Sequence, residues 1–183
     1  MSDPEFSSSV AVARERQTVY AVAVPGGDAG FDLDTDVELQ TATAELLGGA
    51  ASVGTPPAGS AEVHALLVRG LPYAALLHLI DGLVSLPQGE LAEALGVSTR
   101  TLHRGRETRD KAMPADLASK AWLFAETLAL AGIVMGGRAA AERWLAAPAA
   151  GLDGARPIEL MRTVQGAGLV GDFLRRLDYG VYA

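Results

Sequence analysis

From residue 62 onward, apolar residues recur at three- and four-residue spacing, the signature of amphipathic helices. Val63, Leu66 and Leu67 form one such set, and Tyr73, Leu76, Leu77, Leu79 and Ile80 the next. Gly70 and Pro72 punctuate between them, with Pro72 suited to the first turn of the second helix. The same periodicity predicts helices over 87–95, 98–108, 115–135, 138–146, 157–163 and 166–178. Gly136-Gly137, Pro148, Gly151 and Gly154 separate the later ones. Earlier in the chain the pattern is weaker. Residues 18–24 are rich in β-branched positions and end at Pro25-Gly26-Gly27, reading as one short strand with no partner. Residues 28–36 are acidic and turn-rich, and 37–47 read as a helix stopped by Gly48-Gly49. Residues 52–60, with Pro56-Pro57, are the best linker candidate, and the opening MSDPEF reads as a vector-encoded tail outside the fold. No internal repeat is visible. The expected class is all-α.

Composition sharpens this picture by exclusion. Apolar residues make up 49% of the 183, enough to bury a sizeable core. The absence of cysteine rules out a disulfide scaffold, a thiol nucleophile and a cysteine-built zinc site. His64, His78 and His103 are too dispersed in sequence for an HExxH-type metal pair. Aromatics, at 5%, are too few for a sandwich-like β core. No apolar run approaches the ~20 residues of a membrane span. The expectation is therefore a cytoplasmic protein with no membrane partner and no metal, cofactor or catalytic set.

Charge is unevenly distributed. Residues 1–60 carry nine acids against Arg14 and Arg16, and so account for the whole net charge of −7. Residues 61–183 are neutral, yet residues 98–111 hold Arg100, Arg104, Arg106, Arg109 and Lys111 against Glu107 and Asp110. A local cationic patch can meet phosphate on an acidic chain because screening acts over ~8 Å. A solvated helix face is the plainer explanation of charge alone.

The patch sits inside QGELAEALGVSTRTLHRGR, residues 88–106, which reads as a helix-turn-helix. Ala92 is small where two helices cross, Gly96 suits a turn that needs positive φ, and Leu91, Leu95, Val97 and Leu102 supply a shared core. Ser98 is placed to cap the second helix. Ser98, Thr99, Arg100, Thr101, His103 and Arg104 then stand as the candidate DNA-contacting residues of a recognition helix. Gly105 departs from the usual apolar residue, predicting a short or bent second helix.

Gly166-Ala-Gly168-Leu-Val-Gly171 matches the dinucleotide fingerprint GxGxxG. That motif works between a strand and a helix, with an acidic residue some 20 positions later. Neither context is present, so the glycines are better read as allowing close helix packing or partner contact.

The order Ala141-Glu-Arg-Trp144-Leu145, Pro148, Leu152-Asp-Gly154, Pro157-Ile-Glu-Leu160, Thr163, Gly166, Val170, Leu174 and Tyr179-Gly-Val-Tyr-Ala183 resembles the toxin-binding domain of the MbcA/ParS/Xre antitoxins. Gly70-Leu-Pro72, the helix-turn-helix and a long helix through Ala121 and Leu130 resemble the Xre-type domain of the same proteins. The resemblance covers roughly residues 62–183. It implies an Xre-like helix-turn-helix bundle over 61–133 and a small helical toxin-binding domain over 134–183, with 7–60 an acidic extension of unassigned role. It further implies a homodimeric, non-enzymatic antitoxin of a type II system, whose partner is a RES-domain toxin that consumes NAD, and which represses its own operon by binding operator DNA.

Within that resemblance, Leu169, Val170, Phe173, Leu174 and Leu177 form one apolar stripe, mostly facing a core, with Arg175 and Arg176 off it. Tyrosines and a valine in a terminal tail suit an interface. Leu169, Phe173, Arg175, Arg176, Tyr179, Gly180, Val181, Tyr182 and Ala183 are thus the candidate toxin contacts, entering or covering the NAD cleft. Trp144 reads as core in preference to interface, and Arg156, Arg162, Arg175 and Arg176 as toxin-pairing or solvated in equal measure. Two rivals remain: a free-standing helix-turn-helix regulator whose C-terminal part only dimerises, and a small enzyme.

Overall fold

The computed structural model describes residues 33–178, and every statement below concerns those residues. The strand expected over 18–24 and the tail at 179–183 lie outside them. The described elements are helical: α1 (Leu33–Leu46), α2 (Ser60–Arg69), α3 (Tyr73–Asp81), α4 (Gln88–Leu95), α5 (Thr99–Glu107), α6 (Ala115–Met135), α7 (Arg138–Ala146), α8 (Pro157–Leu160) and α9 (Val164–Asp178).

The fold is organised around α6. Its buried residues, among them Ala118, Ala121, Trp122, Phe124, Ala125, Leu128, Ala129, Leu130 and Ala131, point in nearly every direction. A helix apolar all round must be covered all round, and α1, α7 and α9 pack most extensively on it, with α2, α3 and α4 completing the shell. At 21 residues and mean hydropathy 1.4 over its most apolar window, α6 is long and apolar enough to cross a membrane. This qualifies the expectation that no apolar run approaches that length; in the fold it is the core helix. Gly136, in the left-handed region at φ 77°, ends it.

Helix α1 starts a turn earlier than the pattern predicted. It sets Leu39 and Ala44, with Leu47 just past its end, into the common core, and Gln40 Nε2 donates to Glu126 Oε1 of α6 at 3.1 Å. The stretch read as a linker is tethered as well, with Val53 and Pro57 buried. After α5 the chain returns to α3. Tyr73 N donates to Lys111 O (3.0 Å), Ala74 N to Arg109 O (2.8 Å) and Met113 N to Leu71 O (2.7 Å). The first two satisfy amides that the first turn of α3 leaves without helical partners, and the third ties the returning chain to the residue before Pro72.

Near the C-terminus one boundary moved. The helix expected over 157–163 is a single turn, because Thr163 turns outward as a cap. Its Oγ1 accepts from Gly166 N at 3.0 Å, and α9 begins at Val164.

Candidate functional site

Helices α4 and α5 meet as a helix-turn-helix. Gly96 sits between them at φ 66°, ψ 32°, the left-handed conformation a side chain disfavours. Leu91 and Leu95 are buried under the pair, with Val97 and Leu102 half-buried beside them. Ser98 caps α5 as its position predicted, its Oγ accepting from Thr101 N at 3.1 Å. The Thr101 hydroxyl lies 3.0 Å from the same Oγ, so both hydroxyls are engaged locally and Thr101 is half-buried. Thr99, Arg100, His103 and Arg104 are exposed and, with Glu107, line one open depression along the outer face of α5. His103 Nδ1 lies 3.6 Å from Glu107 Oε1. Arg106 turns away toward Asp81, at 3.5 Å.

The structure corrects the expectation for Gly105. Helix α5 runs unbroken from Thr99 to Glu107, and Gly105 is buried against the Tyr73 ring of α3. A Cβ there would stand 2.8 Å from Tyr73 Cδ1. The apolar group usual at this point of the motif is therefore supplied from across the interface. The Tyr73 hydroxyl also accepts from Arg104 Nη2 at 3.1 Å, so one ring fixes both the depth of α5 and the direction of Arg104.

The C-terminal helices are wired to α4 along its length. Glu142 of α7 is fully buried, and its Oε2 accepts from the amides of Val84 (2.8 Å), Ser85 (2.5 Å) and Leu86 (2.9 Å) in the loop that leads into α4. Its Oε1 accepts from Arg138 Nε at 3.0 Å. Burial alone pushes this carboxyl up. The bonds from Ser85, Leu86, Arg138 and Val84 outweigh it and hold the group below the usual glutamate value. Arg156 pairs with Glu90 of α4, bonds Ala146 O at 2.7 Å and meets Glu159 at 3.2 Å. Arg162 pairs with Glu93 of α4 at 2.8 Å. Both arginines are thus engaged within the chain, a third outcome that the sequence reading did not include. Glu142 was missed altogether: in AERWL it looks like any surface glutamate, and its partners are backbone amides some 57 residues upstream.

Helix α9 divides cleanly into two faces. Gly166, Ala167, Val170, Gly171 and Leu174 face inward. Gly166 permits a very close approach, since a Cβ would lie 2.1 Å from the Leu160 carbonyl oxygen. Phe173 sits at the edge, half-buried, stacked on Trp144 (6.0 Å between ring centroids, 6° between planes) and closed over Gly151. Phe173 therefore belongs to an internal stack, and Leu169 leaves the expected stripe because α9 turns it outward. The outer face carries Val164 (74% exposed), Leu169 (58%), Gly168, Arg175 and Arg176. A Cβ on Gly168 would meet nothing within 4 Å. Arg175 touches only Asp172 among the described acids, at 3.4 Å. The remaining candidate contacts, Tyr179, Gly180, Val181, Tyr182 and Ala183, lie outside the described residues.

A helix-turn-helix bundle packed against a C-terminal helical module defines a class of two-part helical regulators, and the sequence comparisons say which. The antitoxin Xre-like helix-turn-helix domain matches residues 62–126, and the antitoxin Xre/MbcA/ParS C-terminal toxin-binding domain matches residues 130–180. The antitoxin Xre of Yersinia enterocolitica is 29% identical over 122 residues, covering 64% of this chain and 82% of that protein. The chain belongs to the Xre/MbcA/ParS antitoxin family. It is an antitoxin with a helix-turn-helix and a toxin-binding domain.

Proposed function

We propose that this antitoxin binds a RES-domain, NAD-consuming toxin through the outer face of α9 and the residues that follow it, and silences it by excluding NAD. The observation that carries this reading is the outer face itself. It exposes Val164 and Leu169, and presents a bare Gly168 that no packing within the described residues explains. A glycine inside an exposed helix costs about 1 kcal/mol relative to alanine. Close approach of a partner surface accounts for its presence, and Arg175 and Arg176 add cations at the end that leads into Tyr179, Gly180, Val181, Tyr182 and Ala183. The antitoxin is not itself an enzyme in this reading. It acts in the cytoplasm as a homodimer and represses its own operon through α5, where Thr99, Arg100, His103 and Arg104 face outward.

The wiring of α7, α8 and the α8–α9 turn onto α4 also suits a free-standing regulator whose C-terminal part serves assembly alone. Co-purification with the RES-domain product of a neighbouring gene separates the two. The proposal expects a complex that survives in wild type and is lost in Gly168→Gln, a change the open space around Gly168 lets the fold accept. A complex unaffected by Gly168→Gln and by deletion of residues 179–183 refutes the assigned surface, and no complex at all refutes the toxin partner.

A further inference from the structure

Beside α5, on the side of the α4–α5 turn, lies a polar cavity of about 200 Å³ whose lining includes Tyr73, Gly96, Thr101, Arg104, Asp116 and Lys120. Two cations reach it from different elements. Lys120, in the second turn of α6, is exposed, and among the described residues no acid lies within ion-pair distance of it. Its ammonium stands at the turn, 3.8 Å from where a Cβ on Gly96 would be. Arg104 reaches the same cavity from α5, its Nη2 held by the Tyr73 hydroxyl at 3.1 Å. At roughly 100° per residue, Arg104 lies about 40° around α5 from Arg100, on the side of Thr101. Arg104 therefore stands at the edge of the outer face, reaching toward the flank, with Arg100, His103 and Glu107 further around on the same face.

We propose that this cavity is a phosphate cradle in which Lys120 and Arg104 together hold one phosphodiester of a DNA strand running beside α5, with Tyr73 as the positioning residue for Arg104. The inference rests on the DNA-binding reading above and goes further by adding α6 to the interface. Three features fit a phosphodiester. Two cations converge on one small polar space; the turn beside it is a bare glycine, so a strand's backbone can come close; and the duplex would then have Arg100 and His103 turned to its base edges. Asp116 is the one acid in the lining, so its replacement by Asn strengthens the cradle. Contacts of this kind position a duplex without reading its sequence, whereas contacts to base edges specify.

The test separates those roles. A duplex selected from a randomised library with wild-type protein, and a scrambled version of it, are titrated by fluorescence anisotropy across a sodium chloride series. Lys120→Ala is expected to weaken both duplexes by a similar factor, on the order of tenfold, and to reduce the slope of log affinity against log salt by about 0.9. Tyr73→Phe keeps the ring against Gly105 and is expected to weaken both duplexes alike, by less than Lys120→Ala. Arg100→Ala is expected instead to narrow the gap between selected and scrambled duplexes. Wild-type affinity and slope in Lys120→Ala overturn the cradle while leaving DNA binding intact. Failure of wild type to bind any duplex overturns the DNA reading, and the cradle with it. The same variants are melted with and without inorganic phosphate. A stabilisation by phosphate that needs Lys120, beside an unchanged salt slope, assigns the cavity to a free oxyanion and overturns the DNA strand as its occupant.

Discussion

Glu142 offers the sharpest check on how the two halves of the chain are joined. Replacing it by alanine strips acceptors from three backbone amides and from Arg138 at once. Hydrogen bonds to a charged acceptor contribute about 1.5–3 kcal/mol each. Val84 and Ser85 are exposed residues, so water replaces part of what their amides lose. The Leu86 amide is buried, and Arg138 is left as a half-buried cation without its partner; breaking a fully buried pair costs about 3–5 kcal/mol, and solvent at Arg138 holds this case to the lower part of that range, to which the stranded amide adds. The expected loss for Glu142→Ala is therefore about 3–5 kcal/mol, and about 2 kcal/mol for Glu142→Gln, whose neutral oxygen still accepts from the loop. With a urea slope of about 2 kcal/mol per molar, the midpoint of Glu142→Ala falls by roughly 2 M. Acid adds a second signature. Because the folded carboxyl titrates below its unfolded value, its contribution is complete above the ordinary glutamate range and is lost as pH falls through the lowered folded value. Wild type should thus lose stability on acidification more steeply than Glu142→Gln, which has no proton to take up there. A loss under about 1 kcal/mol in Glu142→Ala, or identical acid limbs for wild type and Glu142→Gln, refutes the reasoning.

Gly105→Ala raises helix propensity by about 1 kcal/mol yet drives a Cβ into the Tyr73 ring. Overpacking wins, and thermal melts should show a net loss of about 1–2 kcal/mol. Gly166→Ala and Gly168→Ala, two residues apart in one helix, should move in opposite directions. The first meets backbone at Leu160 and loses 3 kcal/mol or more, on the order of the worst overpacked cores, while the second meets open space and gains about 1 kcal/mol. Equal and same-signed shifts in denaturant midpoint for that pair contradict the face assignment of α9. Ser98→Ala removes the cap on Thr101 N and should cost about 1 kcal/mol, read by urea unfolding.

Much of the fold was legible because it is local. Apolar spacing and glycine punctuation set the ends of α4, α5, α6 and α7 within a residue or so, and Ser98 and Gly96 announced their capping and turn roles through chemistry that acts within one helical turn. What could not be read were partners brought together across the chain. Tyr73 fills the place of the side chain that Gly105 lacks, from 32 residues upstream. Glu142 turns inward to backbone amides that carry no sequence signal. Arg156 and Arg162 find Glu90 and Glu93 across the α4–α8 boundary. Part of the stretch 7–60, read as an acidic extension outside the resemblance, joins the core: α1 packs on α6, and Leu39, Ala44, Leu47 and Val53 are buried in the common cluster. On α9 the apolar count was right but the face was not: at about 100° per residue Leu169 lies away from the side of Gly166, Ala167, Val170, Gly171 and Leu174, and so meets solvent. Lys120 escaped the sequence reading because nothing in a long apolar helix tells which turn faces the helix-turn-helix.

Under the proposed function, the outer face of α9 docks on a toxin and silences it. The decisive measurement is NAD turnover by a purified RES-domain toxin that co-purifies with this chain, titrated with the chain. Turnover should fall to background near one antitoxin chain per toxin site, and Gly168→Gln, fully folded, should leave most of it running. Undiminished turnover in the presence of saturating wild-type chain would mean that α9 does not silence this toxin.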